Sequence, residues 1–204
     1  MLGLSDSLRL IKTRGFRIPR FYECKTDDEL ESAYDKLSKP IVLKIDSIKH
    51  SHKTDVDGVV LGVEDKVIAR KEFRRLMLLG ESVVVQEQKK GNQLIVGINY
   101  DNSFGHVLMF GFGGILVELL KDVSFRSCPI SLNDAEDMIN ELKMKKLIEG
   151  FRNNAPMNKV VLKKLLVDLS KFAISENIKT MDLNPILFDK DNYYIVDARI
   201  ELIQ

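Results

Sequence analysis

Apolar residues along the chain recur partly at helical and partly at strand spacing, which predicts a mixed fold. The stretch Leu4–Lys12 is amphipathic, and apolar residues return at helical spacing from Leu30 to Leu37. Ahead of the second stretch, Thr26 and Glu29 have the three-residue spacing of a capping box, which marks the start of a helix. The β-branched run Ile41–Ile45 then predicts a strand.

The remaining elements follow the same two patterns. Strands are predicted at Gly58–Val63, Val83–Val85, Leu94–Val96, Val107–Phe110, Val123–Ile130, Thr180–Phe188 and Tyr193–Ile200, and helices at Glu64–Leu79, after the N-cap Ser131, and along the leucine-rich stretch 162–173. The turn-like residues Lys89–Asn92 predict that the strands on either side of them form a hairpin.

Strands therefore occur in hairpins as much as in βαβ units. This pattern predicts an α/β (α+β) chain with mixed or antiparallel sheets in two lobes, and not one doubly wound sheet. We treat residues 1–204 as a single domain with approximate lobes at 15–90 and 91–204.

The composition narrows the classes of protein. With 31 basic and 30 acidic residues, the formal net charge is +1, which argues against a nucleic-acid-binding protein. The apolar runs are far shorter than a membrane span, and the first residues do not resemble a signal peptide. Cys24 and Cys128 lie far apart and suggest neither a disulfide framework nor a zinc site. We therefore expect a cytoplasmic protein that binds neither nucleic acid nor membranes.

Two features are suited to binding phosphate. The glycine-rich stretch Gly111-Phe112-Gly113-Gly114 follows an apolar strand, and its backbone amides can point together at a phosphate. It matches neither the dinucleotide fingerprint nor the P-loop, and the alternative is a bulge or tight turn. Lys44 stands inside an apolar strand, where a phosphate is a natural partner for its ammonium group. Its alternative is a place on the solvent face of a half-buried strand.

Histidines and oxygen ligands form a second group of candidates. His50 and His52 lie in the polar stretch 46–57, where an imidazole is suited to nucleophilic or proton-transfer chemistry, or where the stretch is simply an exposed loop. Asn184 and Asp197 lie in two strand-like segments and suit Mg²⁺, the alternative being an Asx turn and a surface carboxylate. Glu118 and Asp122 either orient a base or metal or cap the fold.

In combination these stretches resemble a known family. His52–Val59 reads His-Lys-Thr-Asp-Val-Asp-Gly-Val, Met109–Ile115 reads Met-Phe-Gly-Phe-Gly-Gly-Ile, and the chain closes with Asp182-Leu183-Asn184-Pro185 and Val196-Asp197-Ala198-Arg199. This order resembles the β subunit, an ATP-grasp domain, of the nucleoside-diphosphate-forming acyl-CoA synthetases, which include ADP-forming acetyl-CoA synthetase. The resemblance extends from about Ser5 to Leu202.

The resemblance implies an activity and a set of residue roles. The implied enzyme is an ADP-forming acid–thiol ligase of the acetate–CoA type, which passes a phosphoryl group from an acyl phosphate to a histidine of a CoA-binding α subunit, and then to ADP. The resemblance implies His52 as a relay histidine, Lys44 for the nucleotide phosphates, Gln86 and Glu87 for an adenine pocket between the lobes, Gly111, Gly113 and Gly114 for the glycine turn with its backbone amides, and Asn184 and Asp197 for Mg²⁺.

The sequence departs from the family pattern at several positions. Asp57 stands where the family usually has glycine, Gln93 where glutamate is usual, His106 where proline is common, and Asn158 where aspartate is usual. These departures keep two alternatives open beside a catalytic β subunit in a hetero-oligomer with its α subunit. One is a non-catalytic nucleotide-binding regulatory subunit, and the other is a stand-alone ATP-grasp ligase that activates a carboxylate.

Overall fold

The computed structural model describes residues 1–48, 53–114, 121–151 and 155–203, with only the backbone of Thr54 and Asp55. The chain divides into two compact units. The small unit holds Leu2–Thr13 and the described residues of Ile18–Lys89, and the large unit holds Arg14–Arg17 and the described residues from Lys90 onward, together with Met1. Within the described residues, no helix has the length and apolar character needed to cross a membrane.

The small unit is built on a four-stranded antiparallel sheet with the order β1-β4-β2-β3. Its elements are α1 (Leu4–Thr13), β1 (Phe21–Cys24), α2 (Asp27–Lys36), β2 (Ile41–Asp46), a 3₁₀ helix (Lys53–Val56), β3 (Val59–Val63), α3 (Lys66–Leu76) and β4 (Ser82–Glu87).

Local sequence sets the helix starts of this unit. Thr26 and Glu29 form the predicted capping box at the start of α2, and the Asp65 side chain accepts hydrogen bonds from two amides of the first turn of α3. Ile41, Leu43 and Ile45 alternate along β2 and pack in one core with apolar residues of α2 and α3. The even-numbered residues of β2 therefore point to the opposite face of the sheet.

The large unit contains a six-stranded antiparallel sheet with the order β10-β8-β5-β6-β7, in which β9 also pairs with β8. Its elements are β5 (Asn92–Asp101), β6 (Gly105–Phe112), β7 (Val123–Ser127), α4 (Leu132–Glu141), α5 (Lys146–Glu149), α6 (Lys159–Ser175), β8 (Ile178–Asp189), β9 (Asn192–Ile195) and β10 (Arg199–Leu202). The two units with antiparallel sheets confirm the predicted fold class.

Helix α6 of the large unit is 17 residues long. Asn158 caps its first turn through bonds from the amides of Val160 and Val161. The helix buries its leucines at the predicted helical spacing, namely Leu162, Leu165, Leu166 and Leu169. Each such side chain contributes roughly 1.5–3 kcal/mol through apolar burial. The N-cap of α4 is Ser131, as predicted, in a capping box with Asp134.

A short segment between α1 and β1, Arg14–Arg17, belongs to the large unit although both neighbouring elements belong to the small one. The Phe16 ring packs edge-to-face on Phe172 of α6, with 5.4 Å between centroids. The Arg14 guanidinium pairs with Glu176, and the Arg17 carbonyl accepts a 2.9 Å bond from the amide of Ile195. We call this segment the strap.

The predicted hairpin around Lys89–Asn92 is wrong. Strand β4 pairs on both sides within the small sheet, with β1 and β2, whereas β5 pairs with β6 and β8 of the large sheet. Gly91 lies so close to the Phe188 backbone of β8 that a β-carbon there would stand 2.8 Å from the Phe188 carbonyl oxygen. The chain therefore passes from one sheet to the other at this point.

The single strand predicted at Tyr193–Ile200 is divided into β9 and β10. Ile195 lies opposite Ile186 of β8, and Arg199 lies opposite Asp182. Between these pairs β8 contains Pro185, which has no amide hydrogen to donate to a neighbouring strand. The ladder is interrupted here, and Asp197 lies in the interruption.

Candidate functional site

Lys44 lies in the interior of the small sheet. Strand β2 runs between β3 and β4, and Lys44 is opposite Val59 on one side and Val84 on the other. The side chain is only 5% exposed. This burial rules out the alternative that Lys44 stands on a solvent face, and it gives the ammonium group the surroundings in which an anion is bound strongly.

Gln86 shares the face of the sheet that carries Lys44. It lies opposite Val42, two residues from Lys44 along β2, and is 1% exposed. Among the described residues, no acceptor lies within hydrogen-bond distance of its side-chain Nε2. A buried amide without a partner costs about 1–3 kcal/mol, so this group is suited to donate to a bound ligand.

Glu87 points to the other face. Its carboxylate accepts bonds from the ammonium of Lys89 at 3.0 Å and from the amide of Ser38 at 3.4 Å. Burial alone would raise the pKa of Glu87, but these hydrogen bonds outweigh it and the pKa lies below its usual value. The structure thus brings Gln86 and Lys44 together and places the Glu87 side chain apart from them.

Asp46 ends the same face of β2, and its role is structural. One carboxylate oxygen accepts from the amide of Leu4 at 2.6 Å and the other from the amide of Ser5 at 2.9 Å. The negative charge therefore caps the start of α1, where the helix dipole favours it.

In the large unit, the glycine turn is held by Gln93 of β5. The amide of Gly113 donates to the Gln93 carbonyl oxygen at 2.7 Å, so it is engaged within the sheet. Gly114 has a φ of +68°, and a β-carbon on it would stand 2.5 Å from the Gln93 side-chain Oε1. Of the two glycines predicted to offer amides, Gly114 is the one that suits a phosphate. The contact of Gln93 with the glycine turn is not predicted from the sequence, where Gln93 stands out only as a departure from the family pattern.

Gly111 and Asp122 have packing roles in this geometry. A β-carbon on Gly111 would stand 2.6 Å from the carbonyl oxygen of Asp122, because β6 and β7 approach closely there. The Asp122 carboxylate accepts from the amides of Lys143 and Met144, at 2.8 and 2.9 Å. Of the two roles left open for Asp122, the structure supports capping of the fold.

Asn184 lies beside the glycine turn. A β-carbon on Gly113 would stand 3.3 Å from the Asn184 Oδ1, so this amide oxygen faces the turn. Asp197 lies on the adjoining segment, because the amide of Val196 donates to the Pro185 carbonyl oxygen at 3.4 Å. The backbone thus carries both predicted magnesium ligands on adjacent segments at one edge of the turn.

Three predicted residues, His50, His52 and Glu118, lie outside the described residues. Within the described ranges, no cluster of three or more His, Cys, Asp or Glu residues is arranged to hold a metal ion. Asn184 with Asp197 is instead the kind of sparse oxygen set that Mg²⁺ uses together with phosphate oxygens. Taken separately, the buried amide of Gln86 in the small unit and the glycine turn in the large unit each suit polar atoms of a nucleotide.

A sequence profile of the ATP-grasp domain matches residues 1–202. Archaeoglobus fulgidus acetate–CoA ligase [ADP-forming] II is 38% identical over 199 residues, which cover 96% of this chain and 29% of that protein. Pyrococcus furiosus acetate–CoA ligase [ADP-forming] I subunit beta is 33% identical over 208 residues, which cover 97% of this chain and 90% of that subunit. The chain therefore spans less than a third of the first relative and nearly all of the second.

Among solved structures, the chain is likewise similar to an acetyl-coenzyme A synthetase. The chain is similar to dinucleotide-forming acetyl-coenzyme A synthetase 1 of Candidatus Korarchaeum cryptofilum in complex with coenzyme A and Ca-AMPCP, with a TM-score of 0.93, 35% identity, and coverage of 99% of this chain and 93% of that one. A complex of the same enzyme with coenzyme A and Mg-AMPPCP, whose phosphohistidine segment points towards the nucleotide binding site, has a TM-score of 0.84 and 34% identity, and the match covers 98% and 92% of the two chains.

Proposed function

Because the chain belongs to the ATP-grasp domain family, we propose that it is the nucleotide-binding β subunit of an ADP-forming acyl-CoA synthetase of the acetate–CoA ligase type. The net reaction is acyl-CoA + ADP + phosphate = acid + CoA + ATP. The observation that carries the proposal is the match that spans nearly all of both this chain and the P. furiosus subunit. The buried Lys44 supports it, together with the Gln86 Nε2, which has no hydrogen-bond partner in the described part of the chain.

Each candidate residue has a role in this proposal. Lys44 in the small unit and the amide of Gly114 in the large unit bind nucleotide phosphates, and Gln86 donates from its buried Nε2 to the nucleotide. Glu87 contributes its backbone to the adenine pocket, since its carboxylate is engaged by Lys89 and Ser38 on the other face of the sheet. Gly111 and Gly113 keep the backbone of the turn in place. Asn184 and Asp197 hold Mg²⁺, which when bound neutralises charge on the phosphate oxygens. Phosphoryl transfer needs mainly such positioning and charge neutralisation.

His52 carries the phosphoryl group in the proposed relay. In the direction from ATP, the imidazole nitrogen without a proton forms a bond to the γ-phosphorus. The bond from that phosphorus to the oxygen bridging to the β-phosphate breaks, and ADP leaves with the electron pair. The phosphoimidazole then returns to neutrality by releasing the proton of its other nitrogen to water.

The proposed partner is a CoA-binding α subunit in a cytoplasmic hetero-oligomer. Support comes from the P. furiosus relative, which is itself named as a subunit beta, and from the A. fulgidus relative, in which the matching region is 29% of a longer chain. The acyl group and CoA are then bound by the partner, and this chain supplies the nucleotide chemistry.

Labelling with γ-phosphate-labelled ATP and magnesium tests the relay, on the wild type, His52→Ala and Lys44→Met. The wild type is expected to gain acid-labile, alkali-stable label, and His52→Ala none, although it still binds ADP. Lys44→Met keeps the buried volume but removes the charge, so ADP binding and labelling should both weaken. Equal label on His52→Ala would overturn the proposal, and partner-independent ATP hydrolysis stimulated by a carboxylic acid would indicate a stand-alone ligase.

A further inference from the structure

The turn that follows His52 is bonded to the strand that carries Lys44. Residues Lys53–Val56 form the 3₁₀ helix, and the amide of Gly58 closes the turn by donating to the Lys53 carbonyl oxygen at 2.7 Å. The Gly58 carbonyl oxygen in turn accepts from the amide of Ile45 at 2.9 Å. The end of this turn is thus fixed to β2 one residue after Lys44.

The space around Gly58 allows little displacement. A β-carbon on Gly58 would stand 2.7 Å from the Ile45 side chain and 2.8 Å from the Lys53 carbonyl oxygen. Lys53 itself is only 6% exposed. Because Lys53 is buried and Gly58 is bonded to β2, the backbone of the turn from Lys53 to Gly58 has little room to shift.

One residue of the turn has a conformation that needs support. Asp57 has a φ of +50°, in the left-handed region that side chains other than glycine rarely adopt. The Arg75 Nη2 donates to the Asp57 carbonyl oxygen at 3.0 Å. The Arg75 guanidinium is itself held by a 2.7 Å bond from its Nε to Glu72 on the same helix, α3.

We propose that Arg75 is a positioning residue: by holding the Asp57 carbonyl group it keeps the turn 53–58 in place, and so orients His52 for phosphoryl transfer. This inference rests on the proposed relay through His52. Arg75 touches neither nucleotide nor histidine in this scheme, and it acts only through the backbone of Asp57. The left-handed backbone costs an aspartate free energy that it does not cost a glycine, so the bond from Arg75 stabilises a conformation that a glycine at this position would hold without it.

That difference gives a sharp test. Arg75→Gln removes the guanidinium, Asp57→Gly removes the strain, and the double variant removes both. Arg74→Gln is the matched control, because Arg74 lies on the same helix and pairs with Asp27 instead. Two quantities are measured on the full chain: the rate of label transfer from ATP at saturating Mg-ATP, and hydrogen exchange of the Gly58 amide.

We expect Arg75→Gln to lower the rate of label transfer by about fivefold to tenfold and to leave the affinity for Mg-ADP unchanged. This magnitude follows from losing the hydrogen bond that stabilises one left-handed residue. Exchange of the Gly58 amide should accelerate by a similar factor. Asp57→Gly and Arg74→Gln should stay within about twofold of the wild type, and Asp57→Gly should restore both quantities in the double variant.

A double variant as slow as Arg75→Gln would overturn the inference, because Arg75 would then act through its bond to Glu72 and not through Asp57. Unchanged exchange at Gly58 in Arg75→Gln would also overturn it. Failure of the proposed function is distinguishable from both, since His52→Ala would then label like the wild type, whereas exchange at Gly58 reports on the turn whatever His52 does.

Discussion

Replacing Gly114 by alanine separates the backbone cost of the glycine turn from its proposed contact with phosphate. Gly105 is the matched control, because its φ of +69° is nearly that of Gly114, +68°. At Gly105 no atom lies within 4 Å of the added β-carbon, whereas at Gly114 the Gln93 Oε1 lies 2.5 Å away. Both variants meet the same strain, and only one disturbs the turn beside Asn184.

The expected magnitudes differ for stability and for binding. An alanine in the left-handed region costs about 1–2 kcal/mol, so both variants should lose that much free energy of unfolding. The Gln93 Oε1 is the far end of an exposed, flexible side chain, which moves at little further cost. An alanine relieves its left-handed strain by turning the backbone at position 114, and its amide then points away from the phosphate. Because a charge-assisted bond from this amide is worth about 1.5–3 kcal/mol, Gly114→Ala should weaken binding of Mg-ADP by roughly 10- to 100-fold.

Urea unfolding and calorimetric titration with Mg-ADP measure the two quantities. Gly105→Ala should lose stability and keep its affinity. The double variant Gln93→Ala/Gly114→Ala removes the collision, so its affinity shows whether the side chain or the backbone is responsible. If Gly114→Ala loses stability like Gly105→Ala but binds Mg-ADP as the wild type does, the assignment of Gly114 to the phosphates is refuted.

Three further predictions concern the metal, the thiols and acid stability. Asn184→Ala and Asp197→Ala should each weaken ADP binding about tenfold or more with magnesium and far less without it, in calorimetric titrations, and equal losses would contradict the metal assignment. Burial raises the pKa of Cys24 to about 12 and that of Cys128 to about 11, so at pH 8 both thiols are protonated and should react with a disulfide reagent fully only after unfolding. The pKa of Glu87 is lowered in the folded state, so the ionised carboxylate stabilises the fold at pH values above 4.5, the usual pKa of this group. This contribution is lost as the pH falls through the folded-state pKa. Urea midpoints of Glu87→Gln should therefore lie below those of the wild type at pH 7 and converge with them below pH 4.5; a constant difference would contradict the reasoning.

Local signals in the sequence predicted the elements of the fold well. The capping boxes at Thr26 and Ser131 act through residues three positions apart, so a short window contains all the information they need. The hairpin at Lys89–Asn92 could not be judged in that way. A turn sequence permits a hairpin, but the partners of β4 and β5 are decided by strands that lie far away in the chain.

The candidate site also combines features that the sequence indicates with features that only the packing of the folded chain decides. Sequence pattern indicates Lys44 and the glycine turn as candidates, but it does not decide whether Lys44 faces solvent, since that depends on which residues pack on its face of the sheet in the folded chain. The Gln86 Nε2, which lacks a hydrogen-bond partner among the residues that the structure describes, and the left-handed backbone of Asp57 depend on packing and cannot be read from the sequence. The roles of His52 rest on the resemblance alone.

The strap determines how the two units could be expressed as separate fragments. Since Met1 and Arg14–Arg17 belong to the large unit while α1 and β1 belong to the small one, the polypeptide crosses from unit to unit four times, after Met1, after Thr13, after Arg17 and after Lys89. A fragment that starts at Lys90 would lack Phe16 and leave the Phe172 ring without its aromatic neighbour. Expression of either half alone therefore calls for a rearranged gene, in which the strap is joined to the half that it packs against.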